Sequence, residues 1–289
     1  MKIGYPCINR TVGCSSSRTF RLNSYSEERL IETVQNNLDC LLKVLTFNLE
    51  YSIFHFRISS DIIPFASHPI CTFNWQGHFK NRFKDIGNFI KQNKMRISMH
   101  PDQFTLINSL DEKIFKASVS ELEYHTDVLD LMELDNTAKI QIHVGGVYGD
   151  KKESIKRFIQ RYKQLPQKIA NRLAIENDER SYSFKDCYGI HKAIKIPVIF
   201  DVFHHKINPD GLNISRALEL QKSTWKKSDG IPIVDYSSQE PGERTGKHAE
   251  TIDIKDFKKF LNQSVGFDFD IMLEIKDKEK SATKAIKNI

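Results

Sequence analysis

The chain has 289 residues, 39% hydrophobic and 28% charged, with a formal net charge of +6. That is enough apolar material for one large α/β domain or two smaller ones, and the charge balance excludes a disordered chain. The positive charge is moderate and scattered, so it permits a polyanionic partner only if folding assembles a basic groove. Residues 2–8 predict a first strand, followed by a Gly/Cys/Ser/Arg loop over 9–24. Ser26, Glu27 and Glu28 supply a cap and first-turn acids for a helix whose Leu30, Ile31, Val34, Leu38, Leu41, Leu42 and Leu45 keep a 3.6 period. A second strand over 54–59 leads into a long loop through His68, Phe73, Asn74 and Trp75, where the two aromatics suit cap packing. A helix over 79–91 precedes a third strand over 96–100. There Ile97 and Met99 alternate with Ser98 and His100, and Pro101 holds His100 extended, which places an imidazole at the strand tip before Asp102, Gln103 and Phe104.

The alternation continues to the end of the chain. Strands are predicted over 139–144, 172–177, 197–203, 232–237 and 270–275, and helices over 110–134, 152–165, 184–194, 214–221 and 253–261, with a lysine-rich tail from about 276 forming a last helix that frays. Eight βα units in roughly 250 residues predict one (β/α)8 TIM barrel spanning 1–289. A doubly wound open sheet is the alternative, and the first turn lacks the G-x-G-x-x-G that would support it. Cys7, Cys14, Cys40, Cys71 and Cys187 form no C-x-x-C pair, which argues against a disulfide framework or a zinc ribbon and for a reducing cytoplasm. Residues 1–8 carry one charge and a short apolar run closed by Pro6, neither a signal peptide nor a membrane span. The expectation is a cytoplasmic protein, nucleoid-associated in a prokaryote, with no membrane partner and, by default, a monomer.

In a TIM barrel the strand C-termini line the active site. His100, His143, Glu176, Asp201, His204, Asp235 and Glu274 fall there, with His68 and His248 in adjoining loops. So many imidazoles and carboxylates at one mouth require cations, and mixed N/O donors suit Mn²⁺, Zn²⁺ or Fe²⁺. The donors exceed one site, so two or three ions are expected, with Glu176 placed to bridge a pair. Taken singly, the buried end of an ion pair is the lesser alternative for Glu176 or Asp201. Of His204-His205 the first is the preferred ligand, and His55, His78, His125 and His191 read as structural or exposed. Two or three ions activate a water and stabilise both oxygens of an in-line phosphoryl displacement. Arg10, Arg18, Arg21, Lys206, Arg244 and Lys247 add positive charge for a phosphodiester. Gln103 and Phe104 are either a wedge for a base stack or ordinary loop packing. Tyr5 and Asn9 stand where a pocket for extruded nucleotides could form.

Several segments carry a family resemblance: Ser98 to Phe104 (Ser-Met-His-Pro-Asp-Gln-Phe), Gly4-Tyr-Pro, Ile142-His143, Ile175-Glu176-Asn177, Asp201 to His205, Tyr236-Ser-Ser238, Lys247-His248 and Leu273-Glu274. In order, from residue 3 to about 276, the chain resembles the UV damage endonucleases. The resemblance implies a metal-bearing barrel similar to endonuclease IV. It also implies incision immediately 5′ of cyclobutane dimers and 6-4 photoproducts, leaving a 3′-hydroxyl and a 5′-phosphate, with Mn²⁺ as the usual ion. By position, the implied ligands are His100, His143, Glu176, Asp201, His204, His248 and Glu274, with His68 a further cluster histidine. Glu176, His100, His143 and Glu274 are the implied catalytic set. Gln103 and Phe104 would fill the gap left by two flipped nucleotides, and Tyr5 and Asn9 would touch the lesion or a neighbouring phosphate. Two positions depart from the family: Phe104 stands where others carry tyrosine, and Ile233-Val-Asp235 stands where relatives can show Lys-x-His with a modified lysine. A modified lysine is therefore not expected, and Asp235 is a candidate oxygen ligand in place of the histidine. The alternatives are an abasic-site endonuclease of the endonuclease IV type and a divalent-metal sugar isomerase.

Overall fold

Strand alternation decides the architecture. Phe56, Ile97, Ile140, Ile175, Phe200, Val234 and Ile271 all enter an apolar cluster of 59 buried residues shared with the helices. Their strand neighbours Arg57, Ser98, Gln141, Glu176, Asp201, Asp235 and Asp270 are polar, buried, and face the other way. A parallel sheet with one apolar face buries its polar face by closing on itself. The computed structural model, which describes residues 1–289, is that closed barrel. The strands are β1 (Ile3–Pro6), β2 (His55–Ile58), β3 (Arg96–Met99), β4 (Lys139–His143), β5 (Leu173–Glu176), β6 (Val198–Asp201), β7 (Ile233–Tyr236) and β8 (Asp270–Leu273). They pair in parallel in chain order, and β1 returns to β8 through Ile3↔Ile271 and Gly4↔Met272.

The helices are α1 (Glu27–Glu50), α2 (Trp75–Gln92), α3 (Glu112–Leu131), α4 (Lys151–Tyr162), the single turn α5 (Gln167–Ala170), α6 (Phe184–Ile194), α7 (Val202–Ile207), α8 (Ile214–Thr224), α9 (Ile254–Gln263) and α10 (Glu279–Ile286). Ser26 caps α1 as the sequence predicts, its hydroxyl accepting from Arg29 N at 3.2 Å. Helix α2 begins four residues before the predicted start at 79, because Asn74 Oδ1 accepts from Gly77 N at 2.9 Å and opens the helix at Trp75. The predicted sixth strand over 197–203 is cut short for the same reason. Asp201 Oδ1 accepts from His204 N at 2.7 Å and starts α7 immediately.

The barrel interior holds only one small apolar layer, Ala174, Ile199, Ile233 and Met272. On its N-terminal side buried ion pairs close the barrel. Arg96 donates to Asp270 at 3.0 Å and to the Ile231 carbonyl at 2.6 Å, and Lys139 donates to Asp229 at 2.5 Å.

Two expectations are corrected here. The tail does not fray: in α10, Glu279, Ser281, Ala282 and Ala285 are buried, and Glu279 accepts from Arg10 N at 3.0 Å and Thr11 Oγ1 at 2.7 Å. Cys14 and Cys40 form a disulfide that ties the first loop to α1, whereas Cys7, Cys71 and Cys187 are free. A pair 26 residues apart belongs to no local spacing motif, and it removes the basis for reading a reducing compartment from the cysteines. No helix is long and apolar enough to cross a membrane.

Candidate metal centre

The strand tips converge on Glu176, which is 2% exposed. Register puts His143 directly beside it, and the His143 Nε2 lies 2.9 Å from Glu176 Oε1. His100 approaches the same oxygen from β3, with Nε2 at 3.0 Å and its Nδ1–H donated to the Pro101 carbonyl at 2.8 Å. Behind His143 the chain turns away at Gly145, whose φ of +108° and close approach to Asn108 admit no side chain. On the other side of Glu176 stand Asp201 and His204. The His204 Nδ1–H is shared between the Asn177 carbonyl at 3.0 Å and Asp201 Oδ2 at 3.1 Å, which leaves Nε2 open. Asn177 fixes that strand tip, donating to the Asp201 carbonyl at 2.9 Å and accepting from Asp201 N at 3.0 Å. The result is two donor groups, His100–His143–Glu176 and Glu176–Asp201–His204, each within 4.8 Å and both containing Glu176.

The donor chemistry fits divalent cations. With Nδ1–H committed to a carbonyl, a neutral His100 presents only a lone pair to Glu176, so the contact needs a proton or a metal between them. Two imidazole nitrogens at 3.0 and 2.9 Å from one carboxylate oxygen form a set of donors that would hold one ion together. Without an ion the cluster holds protons instead. Burial lowers His143, but the Glu176 carboxylate outweighs it and raises the imidazole to about 9. Burial likewise opposes the charge on His204, and Asp201 and Glu176 carry it up to about 10. Asp201 rises to about 7, through burial first and then Glu274 and Glu176, against the pull of His204. Mixed imidazole and carboxylate donors suit Mn²⁺ or Zn²⁺.

Glu274 and His248 flank this cluster across a cavity of about 710 Å³ that also reaches His100, Gln103 and Phe104. His248 donates Nδ1–H to the Glu274 carbonyl at 2.8 Å, which orients its Nε2. Glu274 Oε1 accepts from Arg57 Nη1 at 2.6 Å. Burial would raise this carboxyl, and Arg57 overrides it, leaving it at about 2. Sequence reasoning missed Arg57 and Gln141. Gln141 donates Nε2 to Glu176 and to Asp235, and accepts from Arg57 at 2.8 Å, forming a floor beneath the ligands. Their available signal was polar side chains at the inward positions of apolar strands.

Other predicted residues lie elsewhere. Asp235 is fully buried and belongs to neither donor group, with Oδ2 held by Arg57 at 2.8 Å and by Gln141. His68 is exposed in its loop, accepts from Ile70 N at 3.1 Å, and joins neither group. Tyr5 is 0% exposed and donates to Asn48 at 2.6 Å. Asn9 accepts from Thr11 N and Val12 N to form a turn, and donates to the Tyr5 hydroxyl. Both are buried wall residues whose polar atoms are bonded within the protein. Lys206 is paired with Asp256 at 2.7 Å. His205 is buried, donating to the Leu212 carbonyl at 2.9 Å, outside the centre as expected. Gln103 and Phe104 are exposed at the cavity rim, Phe104 at 76%. Simple loop packing does not describe such a ring.

The family model described as UV-endonuclease UvdE matches residues 1–289. A UV DNA damage endonuclease of Clostridium perfringens is 40% identical over 291 residues, covering 100% of this chain and 71% of the relative. One of Bacillus thuringiensis subsp. konkukian is 33% identical over 285 residues, covering 96% and 90%. Among solved structures, the crystal structure of SacUVDE superposes with a TM-score of 0.95 at 47% identity, over 99% of this chain and 97% of that one. Endonuclease IV from Thermus thermophilus, at 11% identity and a TM-score of 0.53 over 85% of this chain and 91% of that one, shares the fold alone. The D-psicose 3-epimerase of Clostridium cellulolyticum does likewise, at 12% and 0.56 over 85% and 91%.

Proposed function

Because the chain belongs to the UV-endonuclease UvdE family, we propose that it incises duplex DNA immediately 5′ of cyclobutane pyrimidine dimers and 6-4 photoproducts. The products are a 3′-hydroxyl and a 5′-phosphate. The observation that carries this reading is Glu176, which gathers His100 and His143 on one oxygen and belongs to both donor groups at the edge of an open cavity. His100, His143, Glu176, Asp201 and His204 hold the divalent ions, Mn²⁺ by preference, with Glu274 and His248 completing the rim. When bound, such ions supply an activated water for in-line attack on phosphorus and charge stabilisation for the leaving 3′-oxygen.

The protein's own groups do the rest. Asn177 and the Pro101 carbonyl fix the imidazole orientations, and Arg57 and Gln141 fix the carboxylates from below. Gln103 and Phe104, exposed at the rim, are suited to enter the stack where two damaged nucleotides leave it, the ring stacking and the amide meeting base edges. Exposed Arg10, Arg18, Arg21 and Arg244 supply charge for the backbone. The protein acts on DNA as a monomer.

The test is incision of a duplex carrying one thymine dimer, with Mn²⁺, against undamaged and abasic duplexes. A single cut directly 5′ of the dimer, lost in EDTA and restored by Mn²⁺, is the expected result. Cutting at the abasic site alone assigns the protein to abasic-site repair. No cut in any duplex, with aldose–ketose turnover instead, assigns it to sugar isomerisation.

A further inference from the structure

Asp235 and Glu274 stand side by side at the tips of β7 and β8, and both turn onto one guanidinium. Arg57 Nη1 reaches Glu274 Oε1 at 2.6 Å, and Nη2 reaches Asp235 Oδ2 and Gln141 Oε1, each at 2.8 Å. The arginine side chain is 4% exposed and Asp235 0%. Asp235 is fully buried and Glu274, its side chain 23% exposed, lines the cavity edge; two carboxylates this close need a cation, and a guanidinium in contact with both supplies it. Asp235 Oδ1 has no partner at all, and Asp235 belongs to neither donor group.

We propose that Arg57 is the fixed cation of this centre: by holding Asp235 and Glu274 it takes the charge role of a third divalent ion, so that the centre loads two ions sharing Glu176. Arg57 is on this account a positioning residue. It fixes Glu274 at the cavity edge and withholds Asp235 from coordination. The inference rests on the metal-centre reading of the same site and is independent of which lesion is cut.

The experiment counts Mn²⁺ bound per full-length chain by equilibrium dialysis with elemental analysis, and needs no incision assay. The wild type is expected to bind two ions. Three ions, or fewer than two, overturn the proposal. Asp235→Asn, which keeps shape and leaves Arg57 in place, should still bind two, with affinities within about threefold of wild type, whereas losing an ion or about tenfold in affinity makes Asp235 a ligand. Arg57→Met, which exposes the carboxylate pair to a mobile cation, should bind three. A folded Arg57→Met that still binds two overturns the proposal, since a purely structural arginine would leave the count unchanged. Should that variant fail to fold, the wild-type and Asp235→Asn counts decide.

Discussion

The two ends of the barrel use the same residue types and resolve their charges in opposite ways. At the N-terminal end every buried cation has its own anion: Arg96 with Asp270 at 3.0 Å, Lys139 with Asp229 and Arg172 with Asp130, each at 2.5 Å. At the C-terminal end one guanidinium, Arg57, serves both Asp235 and Glu274, while Glu176 and Asp201 are met by imidazoles and the Gln141 amide. The first end is satisfied by the protein alone and gains nothing from a ligand. The second holds an excess of negative charge that only protons or metal ions complete, so chemistry belongs there. Burial is common to both ends and does not distinguish a site; unmatched charge does.

The largest effect expected from disturbing this contrast is at the shared carboxylate. Glu176→Gln keeps the shape and should lower dimer-directed incision on the order of 10³-fold, with weaker Mn²⁺ binding and a folded protein by circular dichroism. A rate within about tenfold of wild type would remove Glu176 from the hub. At the other end, Lys139→Met leaves Asp229 buried without its cation and should cost about 3–5 kcal/mol in urea unfolding, while Mn²⁺ affinity stays at the wild-type value. A change in Mn²⁺ affinity would mean that the two ends are coupled.

Acidity sharpens the contrast further. In the metal-free protein His143 and His204 are raised to about 9 and 10 from the ordinary 6.5, so their pairs stabilise fully below about 6.5, and that stability is lost as pH rises through the folded values. Glu274, lowered to about 2, contributes above its ordinary 4.5 and is lost only in acid. Metal-free stability should therefore fall between about pH 7 and 10 while Mn²⁺ affinity rises, because binding displaces protons. Urea melts and Mn²⁺ titrations across that range check it, and a flat affinity profile would contradict the proton competition. The smallest effect is at the rim. Phe104→Ala removes a ring that is 76% exposed and should leave stability within about 0.5 kcal/mol, yet slow dimer incision about tenfold, a loss in line with roughly 1–3 kcal/mol of base stacking.

Much of this was legible in the sequence. Alternating strands and helices give the barrel and place His100, His143, Glu176, Asp201 and His204 at its mouth, because strand tips are visible as the polar ends of apolar runs. Arg57 and Gln141 escaped because they lie in mid-strand, where inward and outward positions are assigned only once the sheet closes. Asp235 was placed correctly at a strand tip, but its contact with Arg57 was not foreseen, since that arginine lies 178 residues earlier. The burial of Tyr5 and Asn9 was not legible, because Asn48, which receives the tyrosine hydroxyl, sits on a helix whose facing cannot be judged from β1 alone. Caps such as Asn74 and Asp201 moved helix starts by a few residues, the usual scale on which a side-chain oxygen decides an element boundary.

The hydrogen bonds that Arg10 N and Thr11 Oγ1 donate to Glu279 also bear on how the protein is made. Its first strand pairs with its last, and the loop after the first strand is held by a residue of the final helix. On a ribosome, β1 therefore emerges before the other strands and stays unpaired on one side until β8 has been synthesised. Until then the nascent barrel remains an open sheet with two free edges, the state in which a chain depends most on chaperones. Chains stopped at residue 278 should accordingly be cleaved by protease within residues 9–18 much faster than the full-length protein, and equal resistance would show that the seam closes without its last helix.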